Sequence, residues 1–289
     1  MTAVLPAGTT RIRGSLGPAI AAVAVSVAVW WLVTDVLTTD PLLSAFAPQH
    51  ALPAIGELFA RGVLLADLAA SLWRLLLGLL VAAVVGVPLG LLVGSLPVFE
   101  RATRPVFQFL RMISPLSWAP IAVAVFGIGH RPVAFLVATA AVWPIVLNTA
   151  AGVHAVSPGH VHVARSLGAS RLELLTSVVL PTARGHVLTG LRLALSIGWV
   201  VLVPAEMLGV DSGLGYQILN ARDQLAYDQV MAVILVIGAL GYVLDTTTRV
   251  ALRPRRPRPA SSGPRGKRCR SGWAGRRRRG RWGWFRWRA

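Results

Sequence analysis

Glu206 stands within the apolar run 187–209, two residues after Pro204, where a carboxylate needs a reason to be. An ionisable group inside such a run is costly and by default marks a functional position. Two uses compete for it: hydrogen bonding to a neighbouring helix to hold a gate, or contact with solute or water in a path. Arg192, about one turn into the same run, and Asp245, near the end of run 230–248, lie close enough to the segment ends for their side chains to reach an interface. A second set of polar groups accompanies prolines: Ser114-Pro115 with Ser117-Trp118, and Trp143-Pro144 with Asn148. Proline inside an apolar helix frees a carbonyl and bends the axis, so these residues either line a central path or only distort their helices.

Other chemistries find no residues to carry them. His154, His160 and His162 have no matching acid or cysteine at ligand spacing, and the lone Cys269 cannot form an intramolecular disulfide, so neither a metal nor a cofactor is expected. No G-x-x-x-x-G-K-[ST] phosphate loop occurs, and GPRGKR at 263–268 has the wrong spacing. Clusters of His, Asp or Glu within the apolar runs are also missing, which argues against a membrane enzyme.

The elements that must position these groups are apolar helices. Of the 289 residues, 55% are hydrophobic and the mean hydropathy is +0.64, above the range of soluble domains. About 20 mostly apolar residues cross a bilayer as a helix, and about six stretches qualify: 18–37, 72–96, 107–127, 132–152, 187–209 and 230–248. The first exceeds a signal-peptide core and ends in Trp30 and Trp31, so it reads as an uncleaved span. Basic residues near the span ends set orientation. Arg11, Arg13, Arg101, Arg104, Arg111, Arg165, Arg171, Arg184 and Arg249 fall on one side, and only Arg61, Arg131 and Arg222 on the other. Both termini are therefore expected in the cytoplasm. Gly78, Gly86, Gly90 and Gly94 recur at multiples of four and predict close helix approach.

Between the fourth and fifth spans lies a punctuated cytosolic loop. Ser157-Pro158 starts a helix over 158–167, Gly168 suits the left-handed position that closes it, and Ser170 with Glu173 has capping-box spacing. A second helix, 171–179, is expected to stop as Pro181 approaches. A helix-turn-helix for DNA has a similar outline, but short connections tie this unit to the membrane at both ends, and no nucleic acid partner is expected.

The spacing A-x-x-x-G-x9-hydrophobic-x-L-P, here Ala164, Gly168, Val178, Leu180 and Pro181, resembles the signature loop of ABC transporter permeases of the binding-protein-dependent importer type. The family's usual Glu-Ala-Ala opening is His162, Val163 and Ala164 here, so the acid is missing. DLAASLWRLLLGLLVAAVVGVPLG (67–90), GLRLALSIGWVVLVPAEMLG (190–209) and SGLGYQI (212–218) are similar to the subfamily serving nitrate, sulfonate, taurine and related solutes. The resemblance implies an all-α, polytopic permease of about six transmembrane helices in the plasma (inner) membrane of a prokaryote. It implies a coupling helix within His162, Val163, Ala164, Arg165, Gly168, Ala169, Leu180 and Pro181 that docks on a separate ATPase subunit, so this chain is not itself an enzyme. It further implies an extracytoplasmic solute-binding protein, a second permease copy and a lipid bilayer as partners. Ser114, Ser117, Trp118, Asn148 and Glu206 are the candidate path or gate residues.

The chain then divides into a cytosolic segment 1–17, a permease domain 18–252 and a basic tail 253–289. The tail holds 15 of the 29 basic residues and none of the 11 acidic ones, which leaves the remainder close to neutral. Such a run cannot bury a core. It reads as a lipid-associated or inert segment, as an RNA-binding segment, or as an extension of a permease that ends near 253. An ATP-independent secondary transporter is the rival reading. It calls for a coupling acid near the midplane, and Glu206 lies toward the outer end of its span.

Overall fold

The computed structural model describes residues 16–37 and 44–251, and every regular element among them is helical. The tail and most of the 1–17 segment lie outside the described residues. The helices are α1 (Leu16–Trp31), α2 (Pro48–Ala60), α3 (Val63–Ser95), α4 (Pro97–Met112), α5 (Ala119–Phe126) and α6 (His130–His154). After them come α7 (Pro158–Ser166), α8 (Arg171–Leu174), α9 (Leu180–Glu206), α10 (Leu214–Asp223) and α11 (Tyr227–Ala251).

The glycine stripe of α3 sets the central packing. A Cβ built at Gly78 would lie 2.6 Å from Val137 Cγ1, one at Gly90 2.6 Å from Thr149 Cβ, and one at Gly94 2.7 Å from Val153 Cβ. The α6 partners advance in step with the α3 glycines, so the two helices run parallel and in register, near backbone contact. On its other side α6 meets α9 head to tail, since Gly152 faces Ala183 and His186 while Gly190 faces Asn148 and Pro144. The α9–α11 pair is also antiparallel: Gly241 packs on Trp199, and Arg192 reaches Asp245 at 3.4 Å. These directions put the Ser95 turn, the α7–α8 loop and the end of α11 at one end of the bundle. Glu206 and α10 lie at the other.

Parallel α3 and α6 require the chain between them to cross back. It does so as α4 and α5, bent by 85° about the turn at Pro115–Trp118. The sequence predicts one span, 107–127, in that region. Instead Ile113 and Ser114 are extended, with ψ of 127° and 130°, because the residue before a proline is pushed out of the helical region. Among the described residues, four helices are therefore long and apolar enough to cross a membrane alone, five if the bent pair counts as one span. The first expected span is a shorter apolar helix, Ile20–Val36. It packs little against the rest, with Ile20 and Val23 mostly exposed.

A second expectation is overturned at Pro181. The chain does not stop there but runs on as one helix from Leu172 to Glu206, with Leu180 itself helical (φ −63°, ψ −44°). A π-turn at Leu175–Val179 absorbs the fault: the Leu180 amide donates to the Leu175 carbonyl, and the wider turn lies directly before Pro181. At about 1.5 Å per residue, this 35-residue helix exceeds the hydrocarbon thickness by about 20 Å.

Candidate functional site

The loop at one end of the bundle is a self-contained joint. Ser157 is extended (φ −61°, ψ 129°) with Pro158 in the first turn of α7, but its hydroxyl caps no amide; its carbonyl accepts from His160 N–H at 3.1 Å. At the other end of α7, Gly168 has φ +84°. Its amide donates to the Arg165 carbonyl at 3.0 Å, and the Ala169 amide to the Ala164 carbonyl at 3.1 Å. That crossed pair is a Schellman closure, which needs a left-handed residue at its centre. Ala164, Gly168 and Ala169 are thus one backbone device. The capping box follows directly: Ser170 N–H donates to Glu173 Oε2 at 2.8 Å and Glu173 N–H to Ser170 Oγ at 3.3 Å. Held between these caps, α7 turns Val163 and Leu167 outward at 61% and 83% exposure. Val179 is buried against the bundle, and Leu180 is partly exposed. No described residue makes a side-chain hydrogen bond or ion pair with His162 or Arg165; the His162 carbonyl accepts from Ser166 Oγ.

At the far end, Glu206 is fully buried in a network that ties four elements, α3, α6, α9 and α10. Arg74 Nη1 donates to Glu206 Oε1 at 2.8 Å, and Ser71 Oγ donates to Glu206 Oε2 at 2.8 Å. Arg74 also donates to the Ser212 carbonyl and hydroxyl, each at 2.7 Å, and through Nε to His130 Nδ1 at 3.0 Å. The start of α10 completes it. Amides of Gly213, Leu214 and Gly215 donate to Asp67 Oδ1, Ser71 Oγ and Glu206 Oε2 at 2.7, 2.9 and 3.0 Å. Free amides at a helix N-terminus favour acceptors, and two carboxylates and a hydroxyl from other helices supply them here. A Cβ at Gly213 would lie 2.6 Å from both Arg74 Nη1 and Glu206 Oε1, and one at Gly215 would strike the Val203 carbonyl. The glycines of SGLG let the backbone approach that closely. Of the two uses weighed for Glu206, the geometry is that of hydrogen bonding to a neighbouring helix.

The pattern of parallel and antiparallel helices, the capped loop and the buried clasp can be set beside known proteins. Residues 86–255 match the model of the family described as the binding-protein-dependent transport system inner membrane component. The chain belongs to that family. The taurine transport system permease protein TauC of Escherichia coli is 35% identical over 243 residues, covering 82% of this chain and 88% of its own. The nitrate import permease protein NrtB of Leptolyngbya laminosa is 37% identical over 179 residues, covering 62% of this chain and 64% of its own. In fold, the chain is similar to a solved structure of the MetNI methionine ABC transporter in an inward-facing conformation. The TM-score is 0.56 at 18% identity, over 64% of this chain and 92% of that one. The protein is a membrane-embedded permease component of an ABC importer.

The remaining sequence-predicted residues of the permease lie at separate places in the fold. Ser114 and Ser117 lie in the bend, where Ser117 N–H donates to the Ser114 carbonyl at 3.0 Å, and Trp118 packs against the main apolar cluster. Asn148 donates to the Pro144 carbonyl at 2.8 Å and faces Gly190, inside the α6–α9 seam. Arg192 and Asp245 pair with each other, and Arg249 joins Asp245 at 2.7 Å. Asp67, Ser71 and Arg74, the partners of Glu206, were not singled out as site residues. Their signal was present: spaced four and then three apart, they form a polar stripe on an otherwise apolar helix.

Proposed function

We propose that the permease moves a small anionic or anion-bearing solute, of the nitrate or taurine kind, into the cytoplasm. It works as one of two identical copies, with α7 as the coupling helix in a groove of a separate ATPase. A solute-binding protein delivers cargo on the outer side, where the Arg74–Glu206 clasp holds the α9–α10 turn. Both termini are cytoplasmic, in the inner membrane of a prokaryote, and the 18–252 segment forms the transport domain.

One observation carries the coupling role. The α7–α8 junction is closed by its own backbone at Gly168 and by the Ser170–Glu173 capping box, yet the loop turns Val163 and Leu167 outward, away from the bundle. A rigid joint with an apolar outward face serves docking, and nothing in it could cleave or transfer a group. Relatives whose names give taurine and nitrate support the solute class. An ion-coupled carrier would need a free acid, whereas both oxygens of Glu206 are engaged.

Gly168→Val tests the joint. Nothing lies within 4 Å of a Cβ built there, so the substitution acts only through the left-handed backbone, at a strain of about 1 kcal/mol or more. The expected result, at matched membrane levels, is loss of uptake and of solute-stimulated ATP hydrolysis. His162→Glu should be tolerated. Normal transport by Gly168→Val would remove the case for a mechanical coupler.

A further inference from the structure

The loop-side half of the bundle holds a cleft of about 350 Å³ between α4 and α6 that neither the coupling loop nor the clasp uses. Two contacts tie its walls. Phe107 and Trp143 meet edge to face with centroids 5.6 Å apart, near the middle of α6, and Glu100 lies 3.5 Å from His154 where α6 runs into the loop. The cleft therefore extends from the middle of the bundle to its loop-side end.

The helix α4 is turned inside out relative to a helix of a soluble protein. Glu100, Arg104, Phe107, Gln108 and Arg111 line the cleft, and their spacing puts them on one helical face. The opposite face shows Val98, Phe109 and Met112 to the surroundings at 80%, 67% and 79% exposure. That is the arrangement expected of a helix with lipid on one side and a water-filled cavity on the other. Arg104 and Arg111 make no ion pair or hydrogen bond to any described residue, and Gln108 makes no side-chain hydrogen bond. Glu100 is the one carboxylate lining the cleft; it sits beside His154, one turn from Arg104 without pairing with it, and about 16 Å along the helix axis from Arg111. Two uncommitted guanidiniums at this depth call for a mobile counter-charge, and their planar donor forks fit a trigonal oxyanion or a sulfonate edge.

We infer that this cleft is an inner-half station for the transported solute, with Arg104 and Arg111 holding its anionic group in succession and Gln108 donating a hydrogen bond to it. The inference rests on the reading of the permease as an importer of small anions or anion-bearing solutes. A lipid phosphate would offer the same chemistry, but Arg111 lies past the Phe107–Trp143 contact, deeper than a headgroup sits.

The test uses the complete complex, wild type and variant, reconstituted in phosphatidylcholine vesicles with and without phosphatidylglycerol, with labelled nitrate and labelled taurine as probes. Arg111→Gln should lower the maximal uptake rate at least tenfold in both vesicle types. The half-saturating concentration, set by delivery, should stay unchanged. Arg104→Gln should act in the same direction, and Arg111→Lys should restore much of the rate. The ATPase should co-purify with every variant in wild-type proportion. Normal uptake by both glutamine variants would overturn the inference and leave the importer reading standing. A loss confined to phosphatidylglycerol vesicles would assign the cleft to a lipid headgroup and overturn it too. A wild-type complex that moves neither probe would overturn the anion reading and the inference with it.

Discussion

Removing one partner of the Arg74–Glu206 pair should cost more than removing both. The side chains are 1% and 0% exposed, so Glu206→Gln leaves a buried guanidinium with one neutral acceptor where a charge had been. Breaking a buried pair in this way costs about 3–5 kcal/mol, whereas an apolar pair of similar volume is often nearly neutral. Unfolding midpoints in detergent should therefore fall furthest for Glu206→Gln and Arg74→Gln, and recover in part for Arg74→Met combined with Glu206→Leu. Additive losses in that double variant would show that the two side chains act separately. The double variant should still transport poorly, because the amides of α10 lose an acceptor that methionine and leucine do not replace.

At the scale of elements, the α3–α6 seam and the exposed face of α11 should respond to the same substitution with opposite sign. A Cβ at Gly78 meets Val137 at 2.6 Å and the Ala134 carbonyl at 2.9 Å, so Gly78→Ala has to push two helices apart, at about 1–3 kcal/mol. Gly238, within α11, has nothing within 4 Å of its Cβ position. Gly238→Ala should stabilise by up to about 1 kcal/mol through helix propensity. Thermal stability of the two variants in one detergent checks the pair. Equal shifts would mean that the seam is looser than the distances imply.

For the whole molecule, the helix directions put Gly159 and Gln224 at opposite ends of the bundle, both exposed. Single cysteines at these positions, in a Cys269→Ser background, should respond oppositely to an impermeant thiol reagent in intact cells. Cysteine at 224 should label and cysteine at 159 should be protected. Labelling at 159 would invert the proposed orientation. Leu76, Leu80 and Val84 on α3 and Phe109 on α4 are each more than half exposed, an apolar surface of the kind expected to face lipid or another apolar helix.

The sequence by itself determined what depends on near neighbours along the chain. Apolar runs marked the helices, Ser170 and Glu173 marked a cap, and Gly168 marked a left-handed turn, because each rests on atoms within about one helical turn. The resemblance to the family rested on four segments in order, 67–90, the loop with Ala164, Gly168, Leu180 and Pro181, 190–209 and 212–218, and needed no contact between them. Only the tertiary structure decided what depends on distant segments. Arg74 and Glu206 are 132 residues apart, and neither side chain names the other. Pro115 promised a kink, but the 85° between α4 and α5 is read only from the fold, where the chain returns between the parallel α3 and α6. Pro181 promised an end that a π-turn erased, because the Leu180 amide reaches back to the Leu175 carbonyl and carries the helix past the proline. Local rules fix the backbone's options, and burial between helices chooses among them.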